Sequence, residues 1–390
     1  MKKVYLDNAA TTPARAEVLE AMMRSYKEII GNASSLHMFG QEAKRALEKA
    51  RRTVPRLLGA DPEEIYFTTG GTQSDNLAVK GVARANGDRG RHVITSSIEH
   101  HAVFHSCQQL EEQGYEVTYL PVDRHGLVDL DVLANSIRED TILISIMLAN
   151  NEVGTIEPLG EICAMAEEYG IPVHTDAVQA MGKRHVDVDA LGVDLLSLTA
   201  HKFHGPKGVG VLFVRQGTRI SPLLHGGHQE RTLCPGTEDI PGIVGLETAL
   251  ELACGELDDT AERLTELRDQ LQRGIEECID DVELNGHPTL RLPNILNMSF
   301  AGAEGESLLM ALDTQGIAVS TGSACTAGST DPSHVLRAMG VDRDRAQGSL
   351  RFSLGRENDA EQIAYVVDTL TEVVERLREL SPTYPGAERA

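Results

Sequence analysis

The sequence predicts an α/β fold: a large domain with a mostly parallel seven-stranded sheet between helices, plus a smaller α+β domain. Three observations carry this. Short apolar, β-branched runs alternate with helical patterns through the first two thirds of the chain, Gly and Pro mark the joints, and beyond about residue 250 the texture changes to long amphipathic helices.

The strand candidates are 65–69, 92–95, 116–122, 141–148, 171–175, 193–198 and 208–214. Most lack polar alternation, as strands buried on both faces do. Helical patterns at 72–86 and 159–169 separate several of them, giving the βαβ rhythm of a parallel sheet. Segment 208–214 follows its predecessor after a short turn and is expected to run antiparallel to it. Pro55 interrupts the helical run 41–58, where a kink or break is expected. Leu257, Ala261, Leu264, Leu267, Leu271, Ile275 and Cys278 recur at three- and four-residue spacing, which reads as one long amphipathic helix. Short strands are expected at 295–300, 318–320 and 350–353. A final helix follows, with the stripe Ile363, Val367, Leu370, Val374, Leu377, and Asp359 and Gln362 stand at capping-box spacing before it. The large domain is expected over 15–250, and 1–14 with 251–390 forms the smaller one.

The charge balance excludes some partners. Asp+Glu 59 against Lys+Arg 36 gives −23, so the chain lacks the excess of basic residues that releases counterions from nucleic acid. The same acidity repels anionic membranes, and no run approaches the length of a spanning helix. The N-terminus carries no apolar signal core, and none of the six cysteines forms a C-x-x-C pair. A reducing cytoplasm is therefore expected.

Three elements carry chemistry. In Leu198-Thr199-Ala200-His201-Lys202-Phe203-His204-Gly205-Pro206, a lysine follows the end of a buried strand. Open α/β sheets bind ligands at such strand ends, and a partly desolvated lysine there has a lowered pKa and can form an imine. Upstream, His174-Thr175-Asp176-Ala177-Val178-Gln179 ends another strand on a carboxylate. A helix N-cap is the plain reading of such an Asp. Followed by the lysine motif, it also suits pyridoxal phosphate, which needs a lysine for its aldehyde and an acid for its ring nitrogen. The third element is Thr68-Thr69-Gly70-Gly71-Thr72-Gln73-Ser74, a strand-to-helix turn whose amides can receive a phosphate.

These elements, in this order, resemble a fold-type I pyridoxal phosphate enzyme of the class V aminotransferase group. Further segments narrow the resemblance to the cysteine desulfurases of the NifS/IscS type. They are Leu6-Asp7-Asn8-Ala9-Ala10-Thr11-Thr12, Gly31-Asn32-Ala33-Ser34-Ser35-Leu36-His37, Glu99-His100-His101, Asn150-Asn151-Glu152-Val153-Gly154, Arg351-Phe352-Ser353-Leu354-Gly355-Arg356 and, most specific, Ser320-Thr321-Gly322-Ser323-Ala324-Cys325-Thr326.

The resemblance implies that Lys202 binds the cofactor aldehyde and moves the Cα proton, Asp176 pairs with the ring nitrogen, and His100 stacks on the ring. It places Gln179 and Asn151 near the ring hydroxyl and the substrate carboxylate, and Gly71, Thr72, Thr199 and His201 around the phosphate. Thr237 of the partner subunit of a homodimer would reach the same phosphate. Arg351 would clamp the substrate carboxylate, with Asn8 on the other side of the substrate. Cys325 would take sulfur from L-cysteine as a persulfide, leaving alanine, and pass it to an iron–sulfur scaffold protein or another sulfur acceptor. Gln73 stands where the family often has Glu, and Cys234 where a basic residue is common.

Two other readings are weighed. A selenocysteine lyase or class V aminotransferase shares the fold; a transaminase has no use for the thiol of Cys325. A non-catalytic sulfur-docking platform has no use for the set Lys202, Asp176, His100, Arg351 and Cys325. The close histidine pairs do not supply three or four converging ligands, so no metal is expected.

Overall fold

A computed structural model describes residues 2–321, 332–380 and 384. Cys325 lies outside the described residues. The elements run β1 (Val4–Tyr5), α1 (Ala16–Glu28), α2 (Met38–Leu58), β2 (Ile65–Thr68), α3 (Gly71–Asn86), β3 (His92–Ser96), α4 (His101–Glu112), β4 (Glu116–Leu120), α5 (Leu130–Ser136), β5 (Thr141–Ser145), α6 (Leu159–Tyr169), β6 (Val173–Asp176), α7 (Val188–Leu191), β7 (Leu195–Thr199) and β8 (Gly210–Val214). They continue with α8 (Ile240–Gly255), α9 (Leu257–Cys278), β9 (Val282–Asn285), β10 (Ile295–Phe300), α10 (Gly305–Thr314), β11 (Ile317–Ala318), α11 (His334–Ala338), α12 (Arg343–Gln347), β12 (Ser349–Ser353) and α13 (Ala360–Leu380).

Seven strands form one sheet in the order β2-β8-β7-β6-β5-β3-β4. All neighbours are parallel except β8, which runs antiparallel to both β7 and β2. Every residue of β3, β5, β6, β7 and β8 is buried, which explains their unbroken apolar character. The edge strand β4 is half-exposed and correspondingly polar. One core packs α1, α2 and α8 with one face of this sheet, and another packs α3 and α4 on the opposite face.

A further core gathers Val4 and Leu6 with the apolar stripes of α9 and α13 and with the antiparallel sheet β12-β10-β9. The two long helices meet closely at Gly274, where a Cβ would lie 2.8 Å from Val367 Cγ2. Cys278 departs from the expected stripe: it ends α9 on the exposed side. Pro55 does not break α2, which runs on to Leu58 and closes on left-handed Gly59. The proline falls in the last turn, where it removes the single bond its N–H would have given to the carbonyl of Arg51 and leaves little helix beyond it to disturb. Half of the expected capping box forms: Asp359 Oδ1 accepts from Gln362 N at 2.8 Å, but the Gln362 side chain accepts from Asn358 Nδ2 instead. Among the described residues no helix is long and apolar enough to cross a membrane.

Candidate active site

The C-terminal ends of β5, β6 and β7 and the N-terminus of α3 surround a cavity of about 320 Å3. Lys202, Asp176, His100, Gln179, Asn151, Gly71, Thr72, Thr199, His201 and Arg351 all line it. Residues far apart in sequence thus converge where open sheets place ligands. Asn8 and Thr237 are not among the lining residues. Asn8 is buried, and its Nδ2 donates to Ser353 O at 2.9 Å and Tyr5 O at 3.3 Å. Thr237 is exposed.

Lys202 ends a short helical turn that caps β7. Its ammonium donates to the carbonyls of Ala9 and, at 2.8 Å, Ala10. Gln179 Nε2 donates to the same Ala9 carbonyl at 2.9 Å, so the N-terminal segment forms one wall. The turn beneath is fixed by buried Lys183, whose Nζ donates to Lys202 O at 2.9 Å. Burial, with the Lys202 charge adding to it, lowers the Lys183 ammonium to about 8.

Asp176 closes β6 and is buried, with Oδ1 accepting from Val178 N at 2.9 Å. Burial pushes its carboxyl up to about 6, against the opposing pull of Lys202. His100 is the N-cap of α4, and Nδ1 accepts from Ala102 N at 3.2 Å. That contact selects the neutral tautomer with its proton on Nε2. Burial first, then the Lys202 charge, pushes this imidazole down to about 4.

The first intrahelical bond of α3 runs from Ser74 N to Gly70 O, so the amides of Gly71, Thr72 and Gln73 precede it. They lie beside Thr199 and His201, where a second cleft opens. A Cβ on Gly71 would fall 2.9 Å from Val178 Cγ2, so the bare backbone is needed there. Gln73 Oε1 accepts from Thr69 N at 2.7 Å and Thr69 Oγ1 at 3.0 Å, so the amide oxygen braces this turn.

On the opposite wall, Arg351 is buried in β12, with Nη1 donating to Asn151 O and Nη2 to Asp7 Oδ1, both at 2.9 Å, while Nε has no partner among the described residues. The loop before it is shaped by Asn150 Oδ1, which accepts from Glu152 N and Val153 N. Two buried acids brace these walls. Glu99 Oε1 accepts from Ser96 Oγ at 2.6 Å and Met147 N at 3.0 Å, and Glu152 accepts from Ser333 Oγ at 2.5 Å. Burial raises them to about 8 and about 7. Sequence reasoning missed Asp75, Glu99 and Lys183, since a lone charged residue on a helix or loop reads as solvated; their burial appears only in three dimensions. Cys234 is buried, and burial pushes its thiol up to about 12, where it is inert.

The donor set fits pyridoxal phosphate. A buried carboxylate, an amine, a neutral imidazole and a helix N-terminus without side chains in the way face one cavity. The pattern of the aminotransferase class-V family matches residues 4–366. The chain belongs to this family. Within it the chain falls among the cysteine desulfurases, which depend on pyridoxal phosphate. It is 55% identical to a cysteine desulfurase IscS of Dictyoglomus turgidum over 381 residues, 98% of this chain and 97% of the relative. It is also 55% identical to the cysteine desulfurase IscS of Methanosarcina thermophila over 384 residues, 98% and 95% of the two chains. Among solved structures, a NifS-like protein superposes with a TM-score of 0.91 at 42% identity, covering 96% of this chain and all of that one. SspA in complex with cysteine gives 0.81 at 38% identity, covering 90% and 99%. The expectations of fold, enzyme class and cofactor are thereby met.

Proposed function

We propose that this enzyme converts L-cysteine to L-alanine and carries the sulfur away as a persulfide on Cys325. The observation that carries the reading is the convergence of Lys202, Asp176, His100 and Arg351 on one cavity in a chain of this family. When bound, pyridoxal phosphate supplies an aldehyde that takes the substrate amine and a ring that accepts the Cα electron pair. Lys202 would hold the cofactor through its amine and take the Cα proton. Asp176 keeps the ring nitrogen protonated. The amides of Gly71 and Thr72, with Thr199 and His201, hold the phosphate, helped by Thr237 of the partner subunit. His100 would cover the ring and move protons through Nε2. Arg351 turns its planar fork to the substrate carboxylate, beside Asn151 and Asn8.

The Cys325 thiolate then attacks the substrate sulfur. The sulfur–carbon bond breaks, its electron pair stays on carbon, and carbon takes up a proton. Cysteine plus thiol becomes alanine plus persulfide, with no external oxidant. The sulfur passes to an iron–sulfur scaffold protein or another sulfur acceptor, in the cytoplasm.

A homodimer is supported by an uncovered apolar stripe. Leu19, Met23, Tyr26 and Ile30 follow helical spacing along α1 and the turn after it, all more than half exposed, and Leu36, at 93%, Met38 and Phe39 extend the patch. The opposite face of α1 already packs on α8. The division into 15–250 and 1–14 with 251–390 is supported by the separate core that joins Val4 and Leu6 to α9 and α13. The test is to give the purified protein L-cysteine and measure alanine. Turnover with a visible cofactor band, both lost in Lys202→Ala, is expected; turnover by Lys202→Ala at the wild-type rate would overturn the reading.

A further inference from the structure

Asp75, in the second turn of α3, lines the same cavity and has no part in the scheme above. It is 1% exposed, and among the described residues its Oδ1 has no hydrogen-bond partner. Ligating atoms of Asp75, Asp176 and His100 all lie within 4.8 Å of one another, so two buried carboxyls share one small volume.

The groups that face Asp75 are few. From β6 come Asp176 and His174, whose Nε2 is 3.7 Å from Asp75 Oδ1. His174 is no counter-ion. Its ring sits between Ser145 Oγ at 2.8 Å and Ser197 Oγ at 3.0 Å, fully buried, and burial pushes it down to about 3. From β7 comes Ser197, whose hydroxyl favours the charged form of the Asp75 carboxyl. From the turn before α4 come Glu99, a third acid, and neutral His100. Lys202 acts on Asp176. Asp176 therefore has both a cation and the Val178 amide to favour its charged form, and Asp75 has neither. Two carboxylates this close cannot both ionise, and the proton goes to the one with less support.

We propose that Asp75 is held as a neutral carboxylic acid beneath the cavity and is a positioning residue for Asp176, leaving Asp176 the single anion that meets the cofactor's ring nitrogen. This rests on the reading of Asp176 given above. Burial first, and then the Asp176 charge, push the Asp75 carboxyl well above the usual range, in the same sense.

The test is infrared spectroscopy of the full chain labelled with 13C-aspartate, with and without pyridoxal phosphate, at pH 8. The label separates Asp75 from the buried glutamates. A protonated-acid carbonyl band, present in wild type and missing from Asp75→Asn, is the expected result; its absence from wild type overturns the proposal. The cofactor-free arm needs no turnover, so it reports on Asp75 even if the functional reading fails. A second readout is the pH titration of the cofactor's visible band in Asp75→Asn. Replacing a neutral acid by a neutral amide should move the midpoint by less than about half a unit. Loss of a full anion from the same cavity would move it by about one unit or more at an effective dielectric of about 20, and a shift of that size overturns the proposal. If Asp75→Asn does not fold, the band is sought in Asp75→Glu. There the glutamate carries no label, so loss of the labelled band supports the assignment to Asp75, and its persistence overturns it.

Discussion

Gly210 opens β8 and lies between Thr68 of β2 and Thr199 of β7 in the ladder. A Cβ at this position would meet Leu198 O at 2.7 Å, Gly70 Cα at 2.8 Å and Gly70 C at 2.9 Å. All three are backbone atoms, so no side chain can swing aside. To accommodate Gly210→Ala, the Gly70-Gly71 turn and the end of β7 must separate by roughly 0.7 Å to reach ordinary van der Waals contact. Overpacking of this kind costs about 1–3 kcal/mol. Because the displaced atoms flank the amides proposed to hold the phosphate, much of that cost should appear as weaker cofactor binding, by about 5- to 150-fold. The assay is titration of cofactor-free enzyme with pyridoxal phosphate, read by its visible band, alongside urea unfolding. Gly160→Ala is the control: nothing lies within 4 Å of its Cβ in α6, and the change should stabilise by about 0.5–1 kcal/mol. Wild-type cofactor affinity and wild-type stability together in Gly210→Ala would refute the reasoning.

Glu99 has a folded pKa raised to about 8 by burial, from an ordinary 4.5. The native state then holds an extra proton between those values, so this group's contribution to stability is present below about 4.5 and lost as pH rises through about 8. Glu99→Gln removes this dependence. The wild-type-minus-variant stability difference should fall with pH across that window, by at most about 1.4 kcal/mol per unit, and a flat difference in urea unfolding would contradict the assignment. Met23→Lys combined with Ile30→Lys should convert a dimer to monomers in analytical ultracentrifugation with little change in circular dichroism, since both side chains are exposed; an unchanged dimer would place the interface elsewhere.

Much of the sheet was legible because burial on both faces leaves uninterrupted β-branched runs, as in Thr141–Ser145 and Leu195–Thr199. The antiparallel turn of β8 followed from the brevity of its connection. The strand order was not legible, since crossovers leave no periodicity to read. Short pieces such as Val4–Tyr5 are strands only because Ile317–Ala318 lies beside them. Pro55 misled because propensity ignores position within a helix. For the site, Lys202 and Asp176 announced themselves by ending apolar strands, whereas Asp75 stands in a helix where spacing alone gives no sign that it reaches the cavity. The resemblance sets Asn8 beside the substrate; in the structure its side chain ties Tyr5 to Ser353, and its neighbours Ala9 and Ala10 line the cavity.

The most direct measurement is mass spectrometry of the peptide containing Cys325 after a single turnover with L-cysteine, paired with quantified alanine. One added sulfur on Cys325 for each alanine formed, with Cys325→Ala keeping its cofactor band but gaining no sulfur, is the predicted result. Alanine formed without sulfur on Cys325, or full sulfur release by Cys325→Ala, would contradict it.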